Sequence, residues 1–166
     1  MARWSPNSFY NGQWENDKCH GTGWRQWENF DSYKGNWTKG IRDGVGHMIW
    51  HEIGQEYEGE WSHGRQHGKG TGTWHGQKKT TYTGDWQYGK RSGIGKIEYA
   101  NGSSYEGHWL NDKKSGQAHL TNITGDKVSA YFENDRLVSH LEGFNTIYSI
   151  TESEVTVALG KTLEKG

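Results

Sequence analysis

KRSGIGKIEYANGSSYEGHW, residues 90–109, holds one whole unit of a pattern that decides the fold. It contains Gly93-x-Gly95, an aromatic at Tyr99, the turn pair Asn101-Gly102, and then Tyr105-x-Gly107-x-Trp109. The same marks recur outward from it. The Tyr-x-Gly-x-Trp motif stands at Tyr10-Gly12-Trp14, Tyr33-Gly35-Trp37, Tyr57-Gly59-Trp61, Tyr82-Gly84-Trp86 and Tyr105-Gly107-Trp109. The Tyr-to-Tyr steps are 23, 24, 25 and 23 residues. A period in this range signals a repeat architecture. A repeat array presents a long surface, so binding or scaffolding is expected before a single catalytic pocket.

Seven residues after each motif Trp comes a Gly-x-Gly: Gly21/Gly23, Gly44/Gly46, Gly68/Gly70 and Gly93/Gly95, with Gly116/Ala118 in the fifth copy. Four residues further on lies another aromatic, at Trp27, Trp50, Trp74 and Tyr99, replaced by Asn122 in the fifth copy. Trp4 holds that slot in a partial copy before Tyr10. A worn sixth copy puts Val128, Ala130 and Phe132 in place of Tyr, Gly and Trp. Length changes fall in one loop, around Gly54 and Gly76–Lys79, as stacked repeats tolerate.

Each copy reads as a β-hairpin. Tyr, Gly and Trp at i, i+2 and i+4 share one face of an extended strand, and the residues between them are polar or small. Asn16-Asp17, Lys39-Gly40, His63-Gly64, Tyr88-Gly89 and Asn111-Asp112 follow the Trp residues and suit tight turns with positive φ. Glycine weakens a strand interior, so its repetition here implies a neighbouring Trp or Tyr lying flat over the backbone. Only 30% of residues are hydrophobic while 14% are aromatic, so the aromatics must supply the core. The expected fold is all-β: an elongated single-layer antiparallel sheet of consecutive hairpins. Some twelve strands would span roughly 55–60 Å. The array should occupy residues 1–136, with a tail at 137–166. In that tail Thr151-Glu-Ser-Glu154 reads as a capping box, and Val155, Leu159 and Leu163 follow at helical spacing. The helix is expected to cap the sheet, with self-association as a homodimer the alternative.

Composition narrows the function. Lys+Arg 19 against Asp+Glu 20 gives net charge -1, which argues against a nucleic-acid binder. Residues 1–20 are polar, so no secretory signal is expected there, and Cys19 is alone. A cytoplasmic location follows as the expectation. The Gly-x-Gly pairs recur in register and open no helix, so they are not phosphate cradles. His47, His51, His63 and His67 match no metal-ligand spacing, and no catalytic or cofactor set emerges. Lys18, Arg42, Arg65, Lys90/Arg91, Lys113/Lys114 and Arg136 follow the turns and are expected along one long edge. The bland role of such a row is solubility and protection against edge pairing. The sharper role is contact with acidic partners or lipid head groups, through Arg65, Lys90, Arg91, Lys113 and Lys114.

The five registered copies resemble the MORN (membrane occupation and recognition nexus) family, over about residues 1–136. The resemblance implies a non-enzymatic module for protein–protein contact, often in ciliary, axonemal or other cytoskeletal assemblies. It also carries the alternative of a peripheral phospholipid-binding module, for which only weak, salt-sensitive contact with anionic lipid is expected here. Some family members join an enzyme domain, for which these 166 residues leave no room. Aromatics are the usual anchors of protein interfaces. The expected contact residues are therefore Trp50, Tyr57, Trp61, Trp74, Tyr82, Trp86, Tyr99, Tyr105 and Trp109, in the middle and later copies.

Overall fold

The turn pairs set the architecture. A computed structural model describes residues 2–140. Asn16 and Asp17 have φ of 47° and 58°, and Asn111 and Asp112 have 51° and 70°. Lys39-Gly40, His63-Gly64, Tyr88-Gly89 and Asn134-Asp135 are likewise positive at both places. That is the two-residue hairpin turn whose twist matches its flanking strands.

The first described strand is β1 (Ala2–Ser5). Six hairpins follow: β2 (Ser8–Glu15) with β3 (Lys18–Gln26), β4 (Ser32–Thr38) with β5 (Ile41–Trp50), and β6 (Gln55–Ser62) with β7 (Arg65–Trp74). Then come β8 (Thr80–Gln87) with β9 (Lys90–Glu98), β10 (Ser104–Leu110) with β11 (Lys113–Thr121), and β12 (Lys127–Glu133) with β13 (Arg136–His140). Sheet order equals chain order, so the described residues form one open antiparallel sheet of 13 strands. This is the single-layer fold the pattern implies, with one strand beyond the expected dozen. The worn sixth copy still forms a hairpin, and β13 carries the sheet beyond residue 136. The capping box and helical spacing at 151–163 lie outside the described residues.

The two glycines of each Gly-x-Gly do different things. In the first hairpin Gly12 pairs with Gly23, yet the next residue, Gln13, pairs with His20. Two residues of β3 thus bulge out of the ladder, and the first of them, Gly21, has φ +59°. In the first four hairpins a side chain of the intervening motif position caps the bulge. Gln13 Oε1 accepts from the Thr22 N–H (2.9 Å), Asn36 Oδ1 from Val45 (3.0 Å), Glu60 Oε1 from Lys69 (2.8 Å) and Asp85 Oδ2 from Ile94 (2.9 Å). The second glycine makes room for a ring. A Cβ on Gly23, Gly46, Gly70 or Gly95 would lie 2.2–2.3 Å from the hydroxyl of Tyr10, Tyr33, Tyr57 or Tyr82. Each of these four tyrosines lies over its glycine, and all five motif tyrosines donate the hydroxyl to the carbonyl three residues on, as Tyr57 does to Glu60 (2.8 Å).

Tyr and Trp do share a face, and they interlock along it. Tyr57 meets Trp61 of its own copy edge-to-face at 5.2 Å and Trp86 of the next at 5.1 Å. The indole N–H of Trp61 donates to Gly46 O and that of Trp86 to Gly70 O, both at 3.1 Å. The same relation joins Tyr33 to Trp61, Tyr82 to Trp109 and Tyr105 to Phe132. Each such ring pair is worth about 0.5–1.5 kcal/mol beyond the area it buries. Turns are stitched as well: the N–H groups of Gly40, Gly64 and Gly89 donate to Cys19, Arg42 and Gln66 O of the preceding copy, at 2.8–2.9 Å. The core is thus a run of nearest-neighbour interfaces between repeats.

Burial of these phenols has a titration consequence. It pushes Tyr33 and Tyr99 up to about 12, and raises Tyr10, Tyr57, Tyr82 and Tyr105 above the ordinary 10.0. A group that holds its proton more tightly when folded stabilises the fold fully below its unfolded pKa. That contribution is lost as pH rises from about 10 through the folded values. Tyrosinate absorbance is expected to climb together with loss of β circular dichroism above pH 10. Smooth ionisation of all the tyrosines near pH 10 with the sheet intact would contradict the packing.

Candidate functional site

Packing divides the nine expected contact residues. Tyr57, Trp61, Tyr82, Trp86, Tyr105 and Trp109 are closed, with exposures of 0–6%. Their expected place at an interface rests on a single layer leaving one face uncovered. The repeats cover them instead: each ring is sandwiched between its own copy and a neighbour. Trp50, Trp74 and Tyr99 remain half-buried, packed on that core, and Trp27 joins them. Trp50 and Trp74 both pair with Gln55, from opposite sides. They therefore sit two strands, about 9–10 Å, apart on one row. Of the nine, the open ones belong to this outer row, not to the motif columns; at the N-terminal end the motif Trp14 is open as well, at 43%.

The expected basic edge is also corrected. Strand alternation sends the first residue after each turn outward and the second inward. Lys18, Arg65, Lys90, Lys113 and Arg136 take the first place and are exposed. Arg42, Arg91 and Lys114 take the second and lie over the aromatic face. Arg91 sits 4.3 Å over the Trp109 ring, donates from Nε to Asp112 Oδ1 (3.2 Å) and from Nη2 to Asp112 O (2.9 Å). Lys114 is buried, 5.4 Å from the Tyr105 ring and 5.5 Å from Tyr99. Arg42 stands 4.4 Å over Trp61 and donates from Nη2 to Gly64 O (2.9 Å). Cations packed on rings this way are internal staples, worth about 0.5–2 kcal/mol each. Cys19 and Gln66 fill the same column in the first and third copies, so it supplies no cation over Trp37 or Trp86.

At the first of these two places the face opens into a hollow of 460 Å³. Trp37 and Met48 line it with Trp27 and Trp50, and Arg25 and Arg42 border it. Arg25 lies 4.9 Å over the Trp27 ring, and its buried Nε has no hydrogen-bond acceptor among the described residues. Sequence reading missed Arg25, although its parity with Gly23 on β3, continued to Trp27 just beyond it, places it on this face.

The opposite face carries ion pairs between exposed apolar residues such as Trp24, Val45 and Ile94. Glu56 is paired with His47 Nε2 (3.1 Å) and with His75 Nε2 (2.8 Å). Lys69 pairs with Asp85 and Lys96 with Glu98. Such exposed pairs add at most about 1 kcal/mol. Among the described residues no cluster of His, Cys, Asp and Glu is placed to hold a metal, and no helix is long and apolar enough to cross a membrane.

Comparison with known proteins agrees with this geometry. The MORN repeat family model matches residues 10–32, 33–51, 57–76, 82–104 and 105–127. No curated protein matches the chain. Each match opens at a motif Tyr, and together they cover more than half of the 166 residues. MORN repeats form a non-catalytic family, and this chain, with five of them in one continuous sheet, belongs to it.

Proposed function

We propose that the chain is a non-enzymatic protein-binding scaffold or adaptor that uses the aromatic face of its sheet. The observation that supports this is the row Trp27, Trp50, Trp74 and Tyr99, half-open and fixed on a closed aromatic core. A rigid row with one large ring per repeat suits an extended or helical segment lying across the strands. Large rings held at low entropic cost are common interface anchors. The family resemblance points to a ciliary, axonemal or other cytoskeletal assembly in the cytoplasm as the setting.

The membrane alternative has less support. Of the five edge cations, Arg91 and Lys114 are engaged with rings, leaving Arg65, Lys90 and Lys113 outward. With Lys18 and Arg136 the outward row numbers five among the described residues, at most one per turn, and at about 1 kcal/mol per cation near an anionic surface such a spaced row is a weak, salt-sensitive anchor.

Photo-crosslinking in native extract tests the scaffold reading. A photoreactive residue at Trp50 or Trp74 is expected to capture a protein partner, while one at Lys34 or Thr83 on the opposite face is not. With the captured partner, Trp50→Ala and Trp74→Ala should each weaken binding about tenfold or more, in the range of interface hot spots. Both should keep the wild-type circular dichroism. Capture from the opposite face, or unaltered affinity in both variants, would contradict the assignment.

A further inference from the structure

The hollow between the first two copies holds two guanidiniums, neither in an ion pair with a carboxylate among the described residues. Arg91 has Asp112 beside it. Arg25 and Arg42 have no carboxylate partner among the described residues; Arg42 reaches only Gly64 O, Met48 Sδ (3.3 Å) and ring faces. Burial depresses the Arg42 pKa, as expected of a cation taken out of water. The rim carboxylate, Asp31, is held away from both by its own bonds, its Oδ1 accepting the His51 N–H (2.8 Å) and its Oδ2 the Asn29 amide (2.9 Å), so the two guanidiniums outnumber it by one charge. An aromatic-walled recess of 460 Å³ with two such guanidiniums is built for an anion that brings its own apolar group.

We propose that the hollow bordered by Arg25 and Arg42 and walled by Trp27 and Trp50 recognises a carboxylate carried beside an apolar side chain, on an acidic segment of a protein partner. This rests on the scaffold reading above and names the chemistry of its partner. Charge complementarity selects the acidic group, and the tryptophans select its apolar neighbour. A carboxylate fits better than a phosphate. The walls are apolar, so a dianion would cost more to desolvate than a monoanion, and Asp31 on the rim would repel it more strongly.

Nuclear magnetic resonance of the full chain with simple probes tests this. The observed signals are the indole N–H groups of Trp27, Trp37 and Trp50 and the Nε–H groups of Arg25 and Arg42. 4-Phenylbutyrate, at millimolar concentration, is expected to shift them, with affinity about tenfold or more above that of 4-phenylbutyramide, as for hydrogen bonds to charged groups. The double variant Arg25→Gln, Arg42→Gln should lose that preference. Gln66 fills the place equivalent to Arg42 in the third copy, so the fold accommodates glutamine there. Arg65→Gln with Lys113→Gln, at the exposed turn ends, should leave the preference intact. Equal shifts from acid and amide, or none from either, would overturn the inference; so would tighter binding of phenyl phosphate or of phosphatidylserine vesicles at the same signals. If the double variant does not fold, the acid–amide comparison on the native chain still decides. Equal shifts remove only the charge recognition, whereas failed crosslinking at Trp50 and Trp74 removes the scaffold reading beneath it.

Discussion

Trp61→Ala is expected to unfold the middle of the array rather than to thin a binding surface. Trp61 is 3% exposed, packs edge-to-face on both Tyr33 and Tyr57, donates its indole N–H to Gly46 O, and carries the Arg42 guanidinium. A buried Trp→Ala change costs about 3–5 kcal/mol, most of what a small domain has. The loss falls on the interface between the second and third copies, and nearest-neighbour coupling spreads it to both sides. Urea unfolding should show a large drop in midpoint and a shallower or split transition. A native midpoint in this variant would mean that Trp61 is not part of the core.

Gly70→Ala should be nearly as damaging despite adding one methyl. Its Cβ would lie 2.3 Å from the Tyr57 hydroxyl and 2.5 Å from the adjoining ring carbon. The ring cannot retreat, because it is held between Trp61 and Trp86 and its hydroxyl is bonded to Glu60 O. Overpacking of this kind costs about 1–3 kcal/mol, and a rigid aromatic ring puts this site at or above the upper end. The fifth copy supplies the internal control. Ala118 occupies the equivalent place against Tyr105, whose ring angle to Trp109 is 76° rather than the 87–89° of Tyr57 and Tyr82 with their own Trp. Ala118→Gly should therefore change the thermal midpoint little while Gly70→Ala lowers it by many degrees. Equal, small effects at both places would show that the Tyr–glycine contact does not set the strand spacing.

The fold is readable from residue order because each copy repeats the same evidence. Period-two alternation in Tyr57-Glu58-Gly59-Glu60-Trp61 fixes a strand and its face, and five copies in register make the reading hard to mistake. The turn pairs are legible because few residues tolerate two successive positive φ values. Exposure is not legible in the same way. A strand pattern tells which face Trp61 and Trp86 are on, but not whether the next repeat covers them. That depends on Trp86 reaching back across the sheet to Tyr57 of the preceding copy, a contact between residues far apart in the chain.

The cations mislead for a related reason. Arg91 and Lys114 sit beside Lys90 and Lys113 in the chain, and charge alone places all four at the edge. Strand parity turns the second of each pair inward, where a ring face accepts it. The polar motif residues Gln13, Asn36, Glu60 and Asp85 read as simple spacers between the aromatics. Their bonds to the bulge N–H groups emerge only once the register slip is known. The half-open row is legible as a repeated aromatic slot, but its separation from the closed columns is not.

Hydroxyl-radical footprinting of the ten tryptophans tests the central claim most directly: from the second copy on, the motif rings are the array's own core, and the outer row packed on them stays half-open. The account predicts fast oxidation of Trp4, Trp14 and Trp24, which are 41–55% exposed, and strong protection of Trp37, Trp61, Trp86 and Trp109, at 3–6%. Trp27, Trp50 and Trp74 should fall between the two groups. Oxidation of Trp61 and Trp86 as fast as Trp24 in the folded protein would contradict it.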